Sequence, residues 1–331
     1  MFEVAWSSVP GRQAVPEGWT SPAHGKIPGM DSRTLHRYIR SLTKHYPSRR
    51  LAPQFSTLMG VLIPAREPRW MVSAPCGRAP LLELDLSHPH QRKIYYFPKA
   101  WGNYWMREPF PRFLRQEAVP DMLFMDIGSH LGFFAFDATQ LLGPSGAVLA
   151  FEPDPDLYES LSRSARLYAS RSITCANVAL SDVNGQAVFY RARKPASSSL
   201  APETVGHEQR YCDSISVDCR RLDDYVAESD IDLGKLRLIK CDVEGHEDKV
   251  VSGMLQTLTQ ASFPTLWIEV RGPEGSTRAP NTFVTVNGLL SELGYRPYSW
   301  VEGTETPVSV EDVIGREDVV FRRPADRRRR T

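Results

Sequence analysis

The fold is decided by the stretch Asp126-Ile-Gly-Ser-His-Leu-Gly132, which follows the apolar run Met122-Leu-Phe-Met125. The apolar run predicts a buried strand, and the glycines predict a tight turn where the backbone can approach a ligand closely. A second apolar run, Ala147-Val-Leu-Ala-Phe151, ends at Glu152. A carboxylate at the end of the next strand is placed to accept hydrogen bonds from ribose hydroxyls. The two segments together predict a nucleoside site at the carboxyl ends of parallel strands.

The glycine spacing favours one class of cofactor over another. Three residues separate Gly128 from Gly132, whereas a dinucleotide turn typically has Gly-x-Gly-x-x-Gly with backbone N–H groups facing a pyrophosphate. Asp126 stands at the turn, and a carboxylate repels a phosphate but attracts an ammonium or a sulfonium. S-adenosylmethionine carries both of these cations and no phosphate. The pattern therefore favours S-adenosylmethionine, and the alternative is a purely structural glycine turn.

Composition and charge exclude several classes of protein. The 331 residues contain 40 Lys+Arg and 39 Asp+Glu, so no global field favours nucleic acid or an anionic membrane. Five cysteines without CxxC spacing predict reduced thiols rather than disulfides or a zinc site. Residues 1–16 do not resemble a secretory signal, and no apolar run is long enough to cross a bilayer. We therefore expect a cytoplasmic protein with no membrane contact.

From Met122 onward, apolar runs alternate with helical patterns. This alternation predicts an α/β, Rossmann-like fold with a mostly parallel twisted sheet and helices on both faces. The predicted strands are Met122–Asp126, Ala147–Glu152, Ile173–Val178, Ala187–Tyr190, Leu236–Cys241, Thr265–Val270, Arg296–Trp300 and Asp318–Arg322, the last of them antiparallel. The predicted helices are Leu157–Ala169, Glu247–Leu258 and Val284–Leu293.

The chain before this sheet is predicted to be an N-terminal extension. The expected divisions are an irregular extension at 1–80, a connecting region at 81–120, the main domain at 121–323 and a basic tail at 324–331. The tail, with Arg327–Arg330, is expected to be solvated. The extension is predicted to contain one helix at Arg33–His45, and the connecting region a strand pair at Leu81–Leu86 and Lys93–Phe97.

The segment Ala100–Arg115 is dense in aromatic side chains. These are Trp101, Tyr104, Trp105, Phe110 and Phe113. The simpler interpretation is that they pack the N-terminal region onto the main sheet. The alternative is that some of them line an apolar pocket for a substrate. The loop 194–206, rich in Ser and Pro, is a second segment expected to cover the site.

A second polar group occurs in Leu236-Arg-Leu-Ile-Lys-Cys-Asp-Val-Glu-Gly-His-Glu247. This strand becomes polar at its carboxyl end, where Lys240, Asp242, Glu244 and Glu247 lie close together in sequence. Burying so many charges is costly unless they are paired or bound to a ligand. Two interpretations stay open at this point: an ion pair with an acidic helix start, or part of an active site.

Several stretches together resemble the FkbM family of S-adenosylmethionine-dependent methyltransferases. They are Asp126–Gly132, Phe151-Glu-Pro-Asp-Pro155, Val178-Ala-Leu-Ser-Asp182, Ser197-Ser-Ser-Leu200, Leu222-Asp223 and above all Ile239-Lys-Cys-Asp-Val-Glu-Gly-His-Glu247. The resemblance covers about residues 80–300. The chain departs from the family at His130, where Asn is more common, so the backbone geometry is expected there but not the side-chain hydrogen bond to the cofactor.

The resemblance implies a class I methyltransferase fold, S-adenosylmethionine as cofactor and O-methylation of a small-molecule hydroxyl. The acceptor it implies is a sugar or a polyketide-type natural product. The cofactor-binding residues it implies are Asp126, Gly128, Ser129, His130, Gly132, Glu152, Ala179 and Asp182.

Methyl transfer to a hydroxyl requires a positioned acceptor and removal of its proton. Asp242 is the first candidate, either as the base or as a ligand of a divalent cation such as Mg²⁺ that acidifies the hydroxyl. Glu269 is the natural second oxygen ligand for such a cation. His246 is an alternative base, and Lys240 completes the candidate catalytic set.

Two other functions stay open. The first is a nicotinamide-dependent oxidoreductase on a doubly wound sheet, which the missing third glycine disfavours. The second is a non-catalytic binding module of the same fold. For the methyltransferase we expect a small-molecule partner and no nucleic acid, and the sequence does not fix the oligomeric state.

Overall fold

A computed structural model describes residues 32–44, 52–62, 69–73, 81–86, 89–98, 108–167, 173–192, 197–201, 211–271, 281–309, 311–313 and 316–324. The strands are β1 Arg69–Ser73, β2 Leu81–Asp85, β3 Leu123–Ile127, β4 Ala147–Phe151, β5 Ile173–Ala176, β6 Ala179–Leu180, β7 Gly185–Ala192, β8 Tyr211–Arg220, β9 Leu236–Cys241, β10 Thr265–Arg271, β11 Arg296–Val301, β12 Thr304–Pro307 and β13 Arg316–Arg322. The α-helices are α1 Ser32–Thr43, α2 Ala52–Leu62, α3 Pro89–Tyr96, α4 Pro109–Glu117, α5 Phe133–Thr139, α6 Pro155–Leu167, α7 Leu222–Ala227, α8 Glu247–Ser252, α9 Leu255–Gln260 and α10 Thr282–Glu292.

The central sheet has the strand order β12-β11-β13-β10-β9-β3-β4-β5 within the described residues. The strands β10, β9, β3, β4 and β5 are parallel to one another. Every residue of β3 is buried, as expected for a parallel strand that is covered on both faces. The predicted α/β fold with a mostly parallel sheet is therefore confirmed.

The strand order reverses between β3 and β9. From β3 the chain proceeds outward through β4 to β5, and it later returns to place β9 on the other side of β3. The carboxyl ends of β3 and β9 therefore flank a crevice, which is where ligands bind in open α/β sheets. Asp126 of β3 and Lys240 of β9 are register partners across this switch point.

The end of the chain closes the sheet with antiparallel strands. The strand β13 pairs antiparallel with β10, and β11 pairs antiparallel with β13. The sequence predicted this orientation for the last strand, so that prediction is confirmed. A short added strand, β12, extends the edge beyond β11.

A small second sheet, of order β6-β8-β7, lies outside the central one. The strands β7 and β8 form a long antiparallel pair, and β6 lies parallel to β8. The sequence predicted part of β7 but missed β8 entirely. Its own small apolar group consists of Ala179, Phe189, Val217 and Cys219.

Two predicted elements are wrong. Lys93–Phe97 was expected as a strand but lies mostly in the helix α3, which has Pro89 at its first position, where proline is well tolerated. The run Ile94-Tyr-Tyr-Phe97 is too short to separate strand from buried helix by pattern, and packing decides: Tyr96 stacks on His36 and meets Phe55 edge-on.

The predicted helix Glu247–Leu258 is instead two short helices, α8 and α9, separated at Gly253. A Cβ on Gly253 would lie 1.9 Å from the carbonyl oxygen of Ser181. The chain therefore breaks where another backbone segment needs room. The carboxylate of Asp223 accepts hydrogen bonds from the backbone N–H groups of Thr257 and Gln256 at the start of α9.

The aromatic side chains that the structure describes in the 100–115 segment pack into the core. Phe110 and Phe113 are buried and contact Trp267 at ring-centroid distances of 5.3 and 4.8 Å. The packing interpretation is therefore confirmed for these two residues. Trp101, Tyr104 and Trp105 lie outside the described residues, as do the first 31 residues, the tail Arg327–Arg330 and most of the loop 194–206.

Cys175, Cys219 and Cys241 are free thiols, whereas the side chains of Cys76 and Cys212 lie outside the described set. No helix in the described part of the chain has both the length and the apolar character needed to span a membrane. The prediction of one helix in the extension is wrong, because its described residues form the two helices α1 and α2 and the strand β1, which pairs antiparallel with β2. The division of the chain into the four predicted segments stays a prediction.

Candidate functional site

The turn after β3 is held against the carboxyl ends of both neighbouring strands. The backbone N–H groups of Gly128 and Ser129 donate to the carbonyl oxygen of Phe151, at 3.1 and 2.9 Å. The N–H group of Asp242 donates to the carbonyl of Ile127 at 3.1 Å. Gly128 has a φ of +82°, and a Cβ there would lie only 2.0 Å from the carbonyl oxygen of Asp242. Only glycine allows this approach.

The backbone of His130 contacts the carboxylate of Glu152. The His130 N–H donates to Oε2 of Glu152 at 2.7 Å, and the Asp154 N–H donates to Oε1 at 2.9 Å. His130 has a φ of 52°, so a non-glycine residue occupies the left-handed region at this point. The turn then ends at Gly132, which has a φ of +80° and no room for a Cβ beside Leu161. The N–H groups of His130 and Asp154 together orient the Glu152 carboxylate.

Asp126 and Glu152 are buried carboxyl groups with raised pKa values. Burial raises the pKa of Glu152 to about 8 and that of Asp126 to about 6. Lys240 opposes the shift of Asp126. Ser129 lies near Asp126, but its hydroxyl donates to the backbone carbonyl of Asp126. Within the described part of the chain, neither carboxylate oxygen of Asp126 has a hydrogen-bond partner of normal geometry.

Lys240 lies between the two halves of the site. Its Nζ donates to Oδ2 of Asp242 at 3.0 Å and stands 4.6 Å from the ring centroid of Phe134. Burial alone lowers the pKa of the Lys240 ammonium, but the carboxylates of Asp242 and Asp126 outweigh burial and raise it. Lys240 therefore stays charged at neutral pH. It is a fixed cation beside Asp126 and Asp242 rather than a base.

The turn after β9 is held by hydrogen bonds to Glu247, the first residue of the helix α8. Oε1 of Glu247 accepts from the N–H groups of Val243 and Gly245, at 3.2 and 2.9 Å. Burial raises the pKa of Glu247 to about 7. Glu244 has a φ of 60°, a conformation that costs a non-glycine residue about 1 kcal/mol or more. A strained turn of this kind persists because the surrounding contacts determine it.

Two residues outside the turn also hold it, and neither was among the predicted site residues. The Ser199 hydroxyl donates to the carbonyl oxygen of Glu244 at 3.0 Å. Arg271, at the end of β10, forms an ion pair with the Glu244 carboxylate at 3.3 Å. Ser199 lies within the family-like Ser197–Leu200 segment, which was the available signal. Arg271 follows Glu269 by two positions on the same strand and gave no separate signal.

Three carboxylates converge beside this turn. One oxygen from each of Asp242, Glu244 and Glu269 lies within 4.8 Å of the others. The two carboxylates that were predicted to share a cation, Asp242 and Glu269, therefore lie close together, and Glu244 lies beside them. Lys240 and Arg271 are the cations paired with Asp242 and Glu244.

The remaining predicted residues form a separate group. Nε2 of His246 lies 2.9 Å from the Ser181 hydroxyl, and burial lowers the pKa of His246. Asp182 accepts from Lys249 at 3.1 Å, and Ala179 pairs with Cys219 in the small sheet. The described contacts place none of these three against Asp126, Glu152 or the carboxylate of Asp242. Sequence proximity brought His246 into the candidate set, but its side chain faces the loop after β6.

The Methyltransferase FkbM domain model matches residues 126–297, just over half of the chain. The chain belongs to this family. The match begins at Asp126 and includes the turn after β3, Glu152 and the whole turn after β9. The strand order with its antiparallel β13 agrees with the class I methyltransferase fold expected for the family.

Curated relatives match over part of their length. The hexuronic acid methyltransferase AglP of Haloferax volcanii is 28% identical over 152 residues, which is 46% of this chain and 58% of AglP. The 2-O-methyltransferase NoeI of Sinorhizobium fredii is 31% identical over 159 residues, 44% of this chain and 62% of NoeI. The chain therefore spans about three fifths of these relatives. A crystal structure of methyltransferase FkbM from Methylobacillus flagellatus KT aligns with a TM-score of 0.39 and 15% identity, covering 70% of this chain and 54% of that one.

Proposed function

We propose that this protein is an S-adenosylmethionine-dependent O-methyltransferase acting on a hydroxyl of a small molecule. The observation that carries the proposal is Asp126, a fully buried carboxyl group whose oxygens accept no hydrogen bond of normal geometry from the described residues, at the switch point of an FkbM-family sheet. A buried carboxylate without hydrogen bonds is costly unless a ligand satisfies it. A cationic, hydrogen-bonding ligand fits that requirement.

The residues around the turn fit the adenosyl cofactor. Asp126 would accept from its ammonium group, and Glu152 would accept from the ribose hydroxyls with the lone pairs that His130 and Asp154 leave open. Gly128, Ser129 and Gly132 would let the backbone approach it. When bound, S-adenosylmethionine supplies an activated methyl group. Roles for Ala179 and Asp182 stay predictions, because their described contacts lie elsewhere.

Asp242 is the group we propose to take the acceptor proton. Its carboxylate is partly exposed and is paired with the ammonium of Lys240. Lys240 holds the Asp242 carboxylate in a fixed position through this ion pair. His246 is the weaker candidate, since its Nε2 already pairs with Ser181. Arg271 and Ser199 hold the turn that carries Asp242.

The acceptor we propose is a sugar hydroxyl. Support comes from two relatives, one named a hexuronic acid methyltransferase and the other a 2-O-methyltransferase. Carboxylates such as Asp242 and Glu269 are common partners for sugar hydroxyls because each oxygen accepts more than one hydrogen bond. A polyketide-type acceptor is the alternative that the family resemblance leaves open. A cytoplasmic location and the absence of a nucleic-acid partner stay predictions.

Binding of S-adenosylhomocysteine, the demethylated cofactor, tests the proposal directly. At a ligand concentration of about 100 times Kd, the stabilisation is about 2.7 kcal/mol, enough to raise the melting temperature by a few degrees. We expect this shift in the wild type and in Glu292→Ala, a control at an exposed residue. Glu152→Ala should abolish it. A wild-type protein that binds NADH and not the homocysteine derivative would instead favour the oxidoreductase.

The second proposal for Asp242, as a metal ligand, rests on the convergence of Asp242, Glu244 and Glu269. Lys240 and Arg271 already pair two of these carboxylates, so we favour the base. The expected result is that EDTA leaves methyl transfer to a panel of monosaccharides within about twofold of the untreated rate, because a base needs no cation. Loss of transfer that Mg²⁺ restores, together with the same loss in Glu269→Ala, would establish the metal site.

A further inference from the structure

We infer that Arg191 is a positioning residue for the cofactor carboxylate Glu152 and acts through Asp154. Arg191 lies near the end of β7, in the small sheet that is separate from the central one. The inference rests on the proposed function, because it assigns a role at the cofactor site of that reaction. It also gives the β7–β8 pair a part in that site.

Arg191 reaches from the small sheet to the segment that follows β4. Its guanidinium donates to Oδ1 of Asp154 at 2.7 Å and to Oδ2 of Asp156 at 2.9 Å. A third carboxylate, Asp213 of β8, lies 3.9 Å away. The Asp154 side chain is 9% exposed and that of Asp156 is 67% exposed. The pair with Asp154 is therefore the desolvated one, where a charge-assisted hydrogen bond has most effect.

Asp154 in turn contacts Glu152 directly. The backbone N–H of Asp154 donates to Oε1 of Glu152 at 2.9 Å, while its Oδ1 accepts from the N–H of Asp156 at the start of α6. Moving the Asp154 side chain would move the N–H group that orients Glu152. Arg191 donates to the same Oδ1, so the small sheet and the start of α6 hold the Asp154 side chain together. The chain of contacts thus runs from Arg191 through Asp154 to Glu152.

The positive charge of Arg191 is a second way in which this residue affects Glu152. Asp154 and Glu152 are both buried carboxyl groups two residues apart, and like charges at close range disfavour each other's ionised form. The guanidinium of Arg191 compensates Asp154. Without it, the uncompensated charge of Asp154 would raise the already elevated pKa of Glu152 further and disfavour the ionised form, which accepts two ribose hydroxyls.

The test is calorimetric titration of the full chain with S-adenosylhomocysteine. Arg191→Gln should bind about tenfold more weakly than wild type, which is the effect of losing roughly one charge-assisted hydrogen bond. The matched control is Arg220→Gln, which removes the exposed Arg220–Glu228 ion pair at 2.7 Å from the same small sheet. This control should bind within about twofold of wild type.

A double-mutant cycle with Asp154→Asn separates positioning from a general loss of structure. Asn keeps the side-chain oxygen that caps α6 but removes the charge that Arg191 pairs with. In the Asp154→Asn background, Arg191→Gln should have little further effect on the Kd. In the wild-type background, Arg191→Lys should bind more tightly than Arg191→Gln, because lysine keeps the positive charge. Additive losses, or an unchanged Kd in Arg191→Gln, would overturn the inference. A wild-type protein that does not bind the ligand would overturn the proposed function itself.

Discussion

Gly128→Ala is expected to lower the free energy of unfolding by about 3 kcal/mol or more and to abolish binding of S-adenosylhomocysteine. The new Cβ would stand 2.0 Å from the carbonyl oxygen of Asp242, which is far inside van der Waals contact with backbone. The φ of +82° adds strain for any residue with a Cβ. Each effect costs roughly 1–3 kcal/mol, and neither can be relieved by a side-chain rotation.

Gly288→Ala is the matched control for this prediction. Gly288 lies exposed in the helix α10, and nothing lies within 4 Å of its added Cβ. Alanine is the better helix former there and should stabilise the protein by about 0.5–1 kcal/mol. Urea unfolding monitored by circular dichroism measures both variants. Gly128→Ala with wild-type stability and ligand affinity would show that the turn after β3 is not packed against Asp242 as described.

The sequence predicted the central sheet because β3 and β4 are apolar runs that lead into a charged residue or a glycine turn and are almost entirely buried. The strand β9 is mostly apolar and buried, but it also carries the exposed Arg237 and the buried Lys240. The strand β8 was missed although Ile215, Val217 and Cys219 alternate with exposed polar residues, which is the pattern of a half-buried strand. The signal for this strand was therefore present in the sequence, whereas its pairing with β7 is set by the fold.

The candidate site was predictable in its residue types but not in its connections. The three carboxylates Asp126, Glu152 and Asp242 lie at the carboxyl ends of apolar strands. Because these ends meet at one edge of a parallel sheet, the three residues were expected to lie near one another. The contacts of Lys240 with Asp242 and of Arg271 with Glu244 depend on side-chain direction across neighbouring strands. His246 shows the limit most clearly. It follows Asp242 by four positions in the sequence, yet it pairs with Ser181, because the left-handed residues Glu244 and Gly245 turn the chain between them.

Lys240→Met is expected to destabilise the protein by about 3 kcal/mol at about pH 8, because it leaves a buried carboxylate without its cation. Methionine has similar length and keeps the packing against Phe134. The matched control is Lys249→Met, which removes a Lys–Asp pair of nearly the same length, 3.1 Å, whose lysine is 49% exposed. That loss should stay below about 1 kcal/mol. Both variants replace a paired lysine by methionine, and they differ in how deeply that lysine is buried.

The pH dependence identifies Asp126 as the carboxylate that Lys240 compensates. The pKa of Asp126 is raised to about 6 in the folded protein even with Lys240 present, and removing the ammonium raises it further. A carboxyl group with a raised folded pKa binds more protons folded than unfolded, so its contribution to stability is lost as the pH rises through that pKa. The defect of Lys240→Met should therefore be small at about pH 5 and grow toward about pH 8. Adding Asp126→Asn should recover most of the loss and flatten the profile, since no buried charge is left to compensate. Equal loss at both pH values would mean that packing, and not charge, is what Lys240 contributes.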